Sequence, residues 1–552
     1  MKIFLSIVLF SYLMADDGKF KFLEPGKRGD KYKVWIYLTD KYKSDKIEVS
    51  ERVVWRRNKN NKKIKTDKYD TEVSQFYIDK LNFLGIEVKK KSRWLNAVSV
   101  IVDTSQIKKL QKQNFIKKIK PVFRHTRKKD KNEQLNINNN TPQRLFDYGG
   151  SINQNEQLNI PLSHDAGFFG QNVRILYIDT GFDLSHEVFD SINVVSQYDF
   201  INNDLNTSNE TEQEQNDQQD SHGTQCLSVI AGFYPGKLIG PAFGSEYLLA
   251  KTEIIAEEIY QEVDNYVAAI EWGESMGADI TCASLGYYDW YTYEDLDGNT
   301  AESTIAVDIA SALGVLCINS AGNEGANPWF YICTPSDADS ILSVGAVDLD
   351  GVITGFSSRG PTYDGRIKPE VCALGSSVYR SSAGTLNGYG SSSGTSYSAP
   401  LVAGAAALVL SSNNNLSGMD IRSALIETAS NNLNPNNEYG FGIVDTWDAI
   451  NYANTTNATQ NNYLPNSKDI LNTYPNPFNS NIKIDAILEP FLDYNISIFD
   501  ISGNYVKEIF SGRVSSNYGE YFWDASLYSS GIYFVRINNG KIIKTKKITY
   551  IK

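Results

Sequence analysis

GTSYSAPLVAGAAALVL, residues 394–410, is the stretch from which the rest of the chain can be read. It opens with small, turn-prone Gly394-Thr395-Ser396 and passes through Ala399-Pro400 into an Ala-rich apolar run. Proline is tolerated in a first helical turn, where its missing N–H would have no partner. Ala-rich sequence after it is a good helix former. The stretch therefore predicts a helix with Ser396 at its N-terminus, where free N–H groups and the helix dipole favour a developing anion. A serine in that place is most often only a cap, but it is also where a nucleophile aimed at a carbonyl would stand.

Two further stretches weigh between these readings. VRILYIDTG (173–181) is an apolar run with Asp179 at its end, the pattern of a buried parallel strand. SHGTQCLSVIAG (221–232) places His222 at the start of an apolar, helix-periodic segment. The chain has 4 His, and neither His125 nor His186 lies in a comparable context. Ser, His and Asp together are the parts of nucleophilic acyl transfer: the imidazole takes the hydroxyl proton, and a buried carboxylate fixes its tautomer.

The order Asp179, His222, Ser396 and the motifs D-T-G, H-G-T and G-T-S-x-S-x-P resemble the subtilisin-like serine peptidases, over roughly residues 160–455. The resemblance implies those three residues as the catalytic set. It implies Asn323, in the Ala321-Gly322-Asn323 of LCINSAGNEG, as a side-chain donor to the oxyanion, with the Ser396 N–H as the second donor. On residue chemistry alone, an Asn beside Gly after a strand is a turn residue. Ser284-Leu285-Gly286 in TCASLGY match the family's strand that pairs with substrate backbone, and Ala321 and Gly322 line the same channel; an ordinary core strand is the plainer reading of 284–286. Thr334-Pro335 falls where the family carries a cis-proline beside the primary specificity pocket.

Between 170 and 450, apolar runs such as ADITCASLG and GVLCINSAG alternate with helical patterns such as VDNYVAAIEWGESMG. That alternation is the signature of βαβ units, so the fold class is α/β: a subtilisin-like three-layer domain with a mainly parallel sheet. The polar, acidic segment 203–220 reads as a solvated surface insertion.

Charge divides the chain further. The overall −12 conceals 33 Lys+Arg against 13 Asp+Glu in residues 18–131, and 9 against 42 in 132–455. A basic block can mean nucleic acid, but this one is patterned as a globular unit. KYKVWIYL and LNAVSVIVD read as strands, VSQFYIDKLNFLG and SQIKKLQKQ as helices. Lying directly before a peptidase-like region, it resembles the small α+β propeptide that assists folding and inhibits the site. Opposite charge on the two segments favours a complementary interface; on this basis inhibition by the propeptide should weaken as salt rises.

The remaining boundaries follow. Residues 1–15, MKIFLSIVLFSYLMA, suit a secretory signal peptide, and no later segment reads as a membrane helix. Residues 16–131 form the propeptide, 132–168 a linker with the start of the mature region, 169–454 the peptidase domain and 455–468 a second linker. Within 126–145 the sequence is polar and Asn-rich, and maturation is expected in or near it. Residues 469–552 alternate apolar and polar positions with Gly and Asn turns, as in a small β-sandwich. YPNPFN, the turn at Phe499, Asp500 and Gly503, Trp523-Asp524, Ser530-Gly531-Ile532-Tyr533 and a basic end resemble the C-terminal sorting domain of type IX secretion; an immunoglobulin-like module shares much of this pattern.

The 5 Cys are odd in number and sit mostly in apolar runs, which favours buried free thiols. Without CxxC or a His/Cys cluster no metal ligand is assigned, and catalysis requires no cofactor. Structural calcium accompanies many members of the family, and DLDG at 295–298 and 348–351 is the part of the sequence that hints at it. The resulting expectation is a secreted serine endopeptidase acting on polypeptides. Its own propeptide is an intramolecular inhibitor, and it passes through the periplasm to the outer surface of a Gram-negative cell by the type IX machinery. It has no nucleic-acid partner and no integral membrane segment once mature. The competing class is a surface binding or adhesion protein on a peptidase scaffold that has lost activity.

Overall fold

The computed structural model describes residues 23, 26–60, 68–122, 132–133, 144–255, 263–289, 291–459, 471–474, 478–488, 493–501, 503–514, 518–539 and 543–552. The expected signal peptide, residues 134–143 of the first expected linker region and 460–468 of the second lie outside these residues. Chain contacts divide the protein into two units, Met1–Asn457 and Ala458–Lys552.

The first element of the larger unit is a small α+β layer. Strands β1 (Lys31–Leu38), β2 (Val88–Ser92), β3 (Ala97–Val102) and β4 (Ile116–Pro121) form an antiparallel sheet in the order β4-β1-β3-β2. Helices α1 (Glu51–Lys59), α2 (Gln75–Phe83) and α3 (Thr104–Leu110) complete it. Asp103 starts α3 with a full capping box, its side chain accepting from Gln106 N at 2.8 Å. Val34, Ile36, Val98, Val100 and Leu81 bury the core between sheet and helices. A two-residue strand, β5 (Asn132–Glu133), follows.

Next come β6 (Arg174–Asp179), β7 (Asn193–Asp199), α4 (Glu212–Asp217), α5 (Ser221–Ala231) and β8 (Glu246–Lys251). The chain continues through α6 (Val263–Ser275), β9 (Ile280–Ala283), α7 (Glu302–Ala312), β10 (Leu316–Ser320), β11 (Leu342–Val347) and β12 (Val371–Leu374). β13 (Val378–Ser381) and β14 (Tyr389–Ser392) then lead into α8 (Thr395–Ser412). Seven strands form one parallel sheet in the order β12-β11-β10-β9-β6-β8-β7. Alternate residues of β6 serve different cores. Ile175 and Tyr177 pack with α5 and α8 on one face, Leu176 and Ile178 with α6 and α7 on the other. This is why the run RILYID shows no polar alternation.

α8 departs from the sequence reading in two ways. It begins at Thr395, so Pro400 stands in the second turn rather than the first. It is also apolar all round, with a mean hydropathy of 1.2 over 18 residues, long and apolar enough to cross a membrane, contrary to the expectation for every segment after the leader. Its window is 89% buried inside the protein, so protein core takes the place of lipid.

The small α+β layer docks on α6 and α7 through buried charge. Lys33 lies 3.0 Å from Asp264, which also accepts from Ser99 Oγ at 2.6 Å. Glu271 accepts from Ser92 Oγ and from Arg93 N. Glu274, whose side chain is 0% exposed, takes Arg56 and, at 3.0 Å, Arg57. Lys120 and Tyr37 both reach Glu302 at 2.8 Å. Burial drives the Lys33 ammonium below its ordinary pKa, against the pull of Asp264.

In the smaller unit, strands Leu471–Tyr474, Asn481–Ile487 and Tyr518–Asp524 form one antiparallel sheet. Strands Asp493–Asp500, Tyr505–Arg513, Gly531–Asn538 and Ile543–Tyr550 form the other. Fully buried Trp523 packs with Tyr533 and Phe478 in the core between them, as the sandwich reading requires. Gly503, at φ +81°, turns the hairpin that Asp500 closes by accepting from Asn504 N at 2.9 Å.

Candidate active site

The C-terminal ends of the parallel strands and the N-terminal ends of two helices meet at one place. Asp179, the last residue of β6, is fully buried, and its Oδ1 lies 2.6 Å from Nδ1 of His222 in the first turn of α5. Gly223 makes this approach possible: a Cβ there would stand 2.2 Å from the Gly181 carbonyl and 3.0 Å from Asp179 Cβ. Ser396 is the second residue of α8 and is buried. The next residue, Tyr397, brings its ring to 6.1 Å from the His222 ring.

Asn323 Oδ1 accepts from both the N–H and the hydroxyl of Thr395, each at 2.9 Å. This fixes the amide beside the start of α8 and leaves its Nδ2 without a partner among the described residues. Gly322, at φ +114°, occupies a bend that side chains resist; a Cβ would also meet Cys333 Sγ at 2.7 Å. Ala321 is fully buried and donates to Val344 O at 2.9 Å.

β9 ends at Ala283, so Ser284-Leu285-Gly286 lie past the end of the core strand. The Leu285 carbonyl is held by Asn319 Nδ2 at 2.7 Å, whereas Gly286 N–H and C=O have no partner among the described residues. The strip thus presents an open backbone edge to one side. Thr334-Pro335 is cis, as the family pattern implies, and Tyr287 exchanges backbone hydrogen bonds with Thr334 at 2.9 and 3.0 Å.

The insertion 203–220 is more than solvated surface. Thr207 and Gln219 are buried. Gln219 Nε2 donates to Thr180 O at 2.7 Å and to Glu253 O, while its Oε1 accepts from Ile255 N at 2.7 Å. It ties the loops after β6 and β8 together three residues before His222. Lys251, fully buried, bridges Asp199 at 2.9 Å and Glu214 at 2.5 Å. Burial alone would lower its pKa, but the two carboxylates together more than offset that and hold it above the ordinary value. Neither anchor carried a sequence signal, because polar residues in an acidic stretch look solvated.

The sequence hint of calcium lies in the two DLDG stretches. Asp297 Oδ1 accepts from Asn299 N and Thr300 N, and Asp348 Oδ1 from Asp350 N and Val352 N, so these carboxylates close turns. Asp199, Asp204 and Glu210 lie close together, yet Asp199 faces the Lys251 ammonium. All five cysteines are free and buried. Burial pushes the Cys317 and Cys372 thiols up to about 12. Cys226 lies 3.5 Å from His222 Nε2 and 3.7 Å from Nδ1, against the imidazole ring.

One more pairing bears on the site. β5 runs antiparallel to β14, with Asn132 opposite Ser392 and Glu133 opposite Ser391. The residues that follow the small α+β layer therefore pair alongside the strand that leads through Ser393-Gly394 into α8.

An acid at the end of a parallel strand, an imidazole in the first turn of one helix and a serine at the N-terminus of another sit on a subtilisin-like architecture. The chain belongs to the subtilase family, whose pattern it matches over residues 170–442. Residues 33–138 match the peptidase S8 propeptide domain of Bacteroidota, and 472–552 the secretion system C-terminal sorting domain. Subtilisin DY of Bacillus licheniformis is 33% identical over 282 residues, 50% of this chain and 91% of that protein. Subtilisin E of Bacillus subtilis (strain 168) is 28% identical over 370 residues, 66% of this chain and 84% of that one. The solved structure of the prenylagaramide maturation protease PagA aligns with a TM-score of 0.43 at 21% identity, over 53% of this chain and 98% of that one.

Proposed function

We propose that the protein is a secreted serine endopeptidase that cleaves polypeptides through an acyl-enzyme. The observation that carries this reading is the buried 2.6 Å contact between His222 Nδ1 and Asp179, with the ring of Tyr397, the residue after Ser396, 6.1 Å from the imidazole. In the proposed reaction Ser396 Oγ attacks the scissile carbonyl, and His222 Nε2 takes its proton. Asp179 holds Nδ1–H and stabilises the imidazolium. The oxyanion is received by Asn323 Nδ2 and the Ser396 N–H. His222 then protonates the leaving amine, and water repeats the sequence on the ester. Ser284-Leu285-Gly286 and Ala321-Gly322 hold the substrate backbone. No cofactor takes part in these steps.

The small α+β domain acts as an intramolecular inhibitor. Maturation cuts within or near residues 126–145, and the pairing of β5 with β14, the strand before Ser396, supports cleavage in cis. The C-terminal domain hands the protein to the type IX machinery after passage through the periplasm, for release or display at the outer surface. An inactive binding protein on the same scaffold is the other class, and retention of Asp179, His222, Asn323 and Ser396 together speaks against it.

The test is hydrolysis of casein by the processed protein and its block by a fluorophosphonate. Ser396→Ala should lower kcat by about 10⁶, the size of loss known for the nucleophile in subtilisin itself. Hydrolysis unchanged by that substitution would reject the assignment.

A further inference from the structure

Pro400 has no N–H to donate to the carbonyl four residues earlier in α8, and that carbonyl belongs to Ser396. A carbonyl buried in that position needs another donor. Ser284 Oγ supplies it, donating to Ser396 O at 2.8 Å. A hydroxyl has one proton, so Ser284 Oγ then acts as acceptor toward its other neighbour, Tyr177 Oη at 3.3 Å. Tyr177 is fully buried on β6, two residues before Asp179. Contact also runs the other way, since Ser396 Oγ lies 3.4 Å from Ser284 O.

We infer that Tyr177 and Ser284 are positioning residues: their hydroxyls form a relay, Tyr177 to Ser284 to the Ser396 carbonyl, that orients the nucleophile's peptide in place of the hydrogen bond Pro400 removes. The inference rests on the proposed role of Ser396. The orientation of that peptide sets both the direction of Oγ and that of the N–H offered to the oxyanion. The relay connects it to the strand that carries the acid, so the two ends of the catalytic set are held in register across the sheet. Ser284 thus serves through its side chain as well as through the backbone of the substrate strip.

Ser396→Ala first establishes that hydrolysis depends on Ser396; failure at that step rejects the proposed function and not the relay. With it established, Ser284→Ala should lower kcat roughly 10- to 100-fold, the effect of a buried carbonyl left unsatisfied. KM should change less than about threefold, because the backbone edge is untouched. Ser284→Thr, which keeps the hydroxyl, should keep most of the rate. Tyr177→Phe should cost roughly two- to tenfold in kcat. The decisive arm is Pro400→Ala, which restores an N–H to the Ser396 carbonyl. In that background Ser284→Ala should cost less than about threefold. Thermal melts of each variant screen for misfolding. The relay is overturned if Ser284→Ala leaves kcat within threefold of wild type, or if its cost is the same with and without Pro400.

Discussion

Glu274→Ala offers the sharpest test of how the propeptide is held. The Glu274 carboxylate lies on α6, is 0% exposed at its side chain, and receives Arg56 (2% exposed) and Arg57 from the propeptide. Removing it leaves the Arg56 guanidinium buried with its charge facing the backbone carbonyls of Ala278 and residue 274. Breaking a buried pair from one side costs about 3–5 kcal/mol, which at 1.4 kcal/mol per decade is a rise in Kd of roughly 10²- to 10³-fold or more. In the mature domain without its propeptide, Glu274 faces solvent, so the cost should fall almost wholly on the complex. The assay is binding of the released propeptide to a mature domain carrying Ser396→Ala, followed by surface plasmon resonance across a salt series. Because the paired groups are buried, salt should slow association and leave dissociation nearly unchanged. This refines the simpler expectation that inhibition fades with salt. A Kd within threefold of wild type would refute the reasoning.

Three other expectations come from the same coordinates. Cys226→Ala should abolish slow inactivation by organic mercurials, since Cys226 Sγ lies 3.5 Å from His222 Nε2; inactivation that persists would assign the effect to another thiol. Gly322→Ala should lower kcat/KM by roughly 10- to 100-fold, because its φ of +114° and the 2.7 Å approach to Cys333 Sγ force the strip next to Asn323 to shift; unaltered kinetics would show the strip can yield. Burial raises the Asp337 carboxyl to about 6 from 3.8, so the folded state prefers its protonated form. Its contribution is therefore most favourable below about pH 4 and is lost as pH rises toward 6, a span of roughly 3 kcal/mol. Asp337→Asn should flatten that part of the urea-midpoint profile, measured in a Ser396→Ala background, and an unchanged slope would count against it.

What the sequence revealed and what it hid divide along physical lines. Asp179, His222 and Ser396 were legible because each stands at a strand end or helix start, where local sequence dictates local geometry; Asn323 was singled out by the family resemblance, since its own neighbourhood reads as a turn. The parallel sheet was legible because both of its faces are buried, which leaves uninterrupted apolar runs. Asp264, Glu271 and Glu274 were not, since an acidic helix face reads as solvated until the basic partner that covers it is in place. Lys251 and Gln219 were hidden for the same reason. Ser396 stands at the N-terminus of α8 as expected, but Pro400, which reads as a first-turn proline, falls in the second turn, where Ser284 Oγ donates to the carbonyl that Pro400 cannot serve.

The burial of α8 has a consequence for the timing of activity. The segment beginning at Thr395 has almost nothing to hold its apolar surface until strands from across the sheet have assembled around it. A nascent or partly collapsed chain therefore lacks a competent nucleophile, and cutting power arises only with completion of the whole domain. An unfinished copy therefore cannot attack its siblings, and its catalysis is itself a certificate that folding has ended.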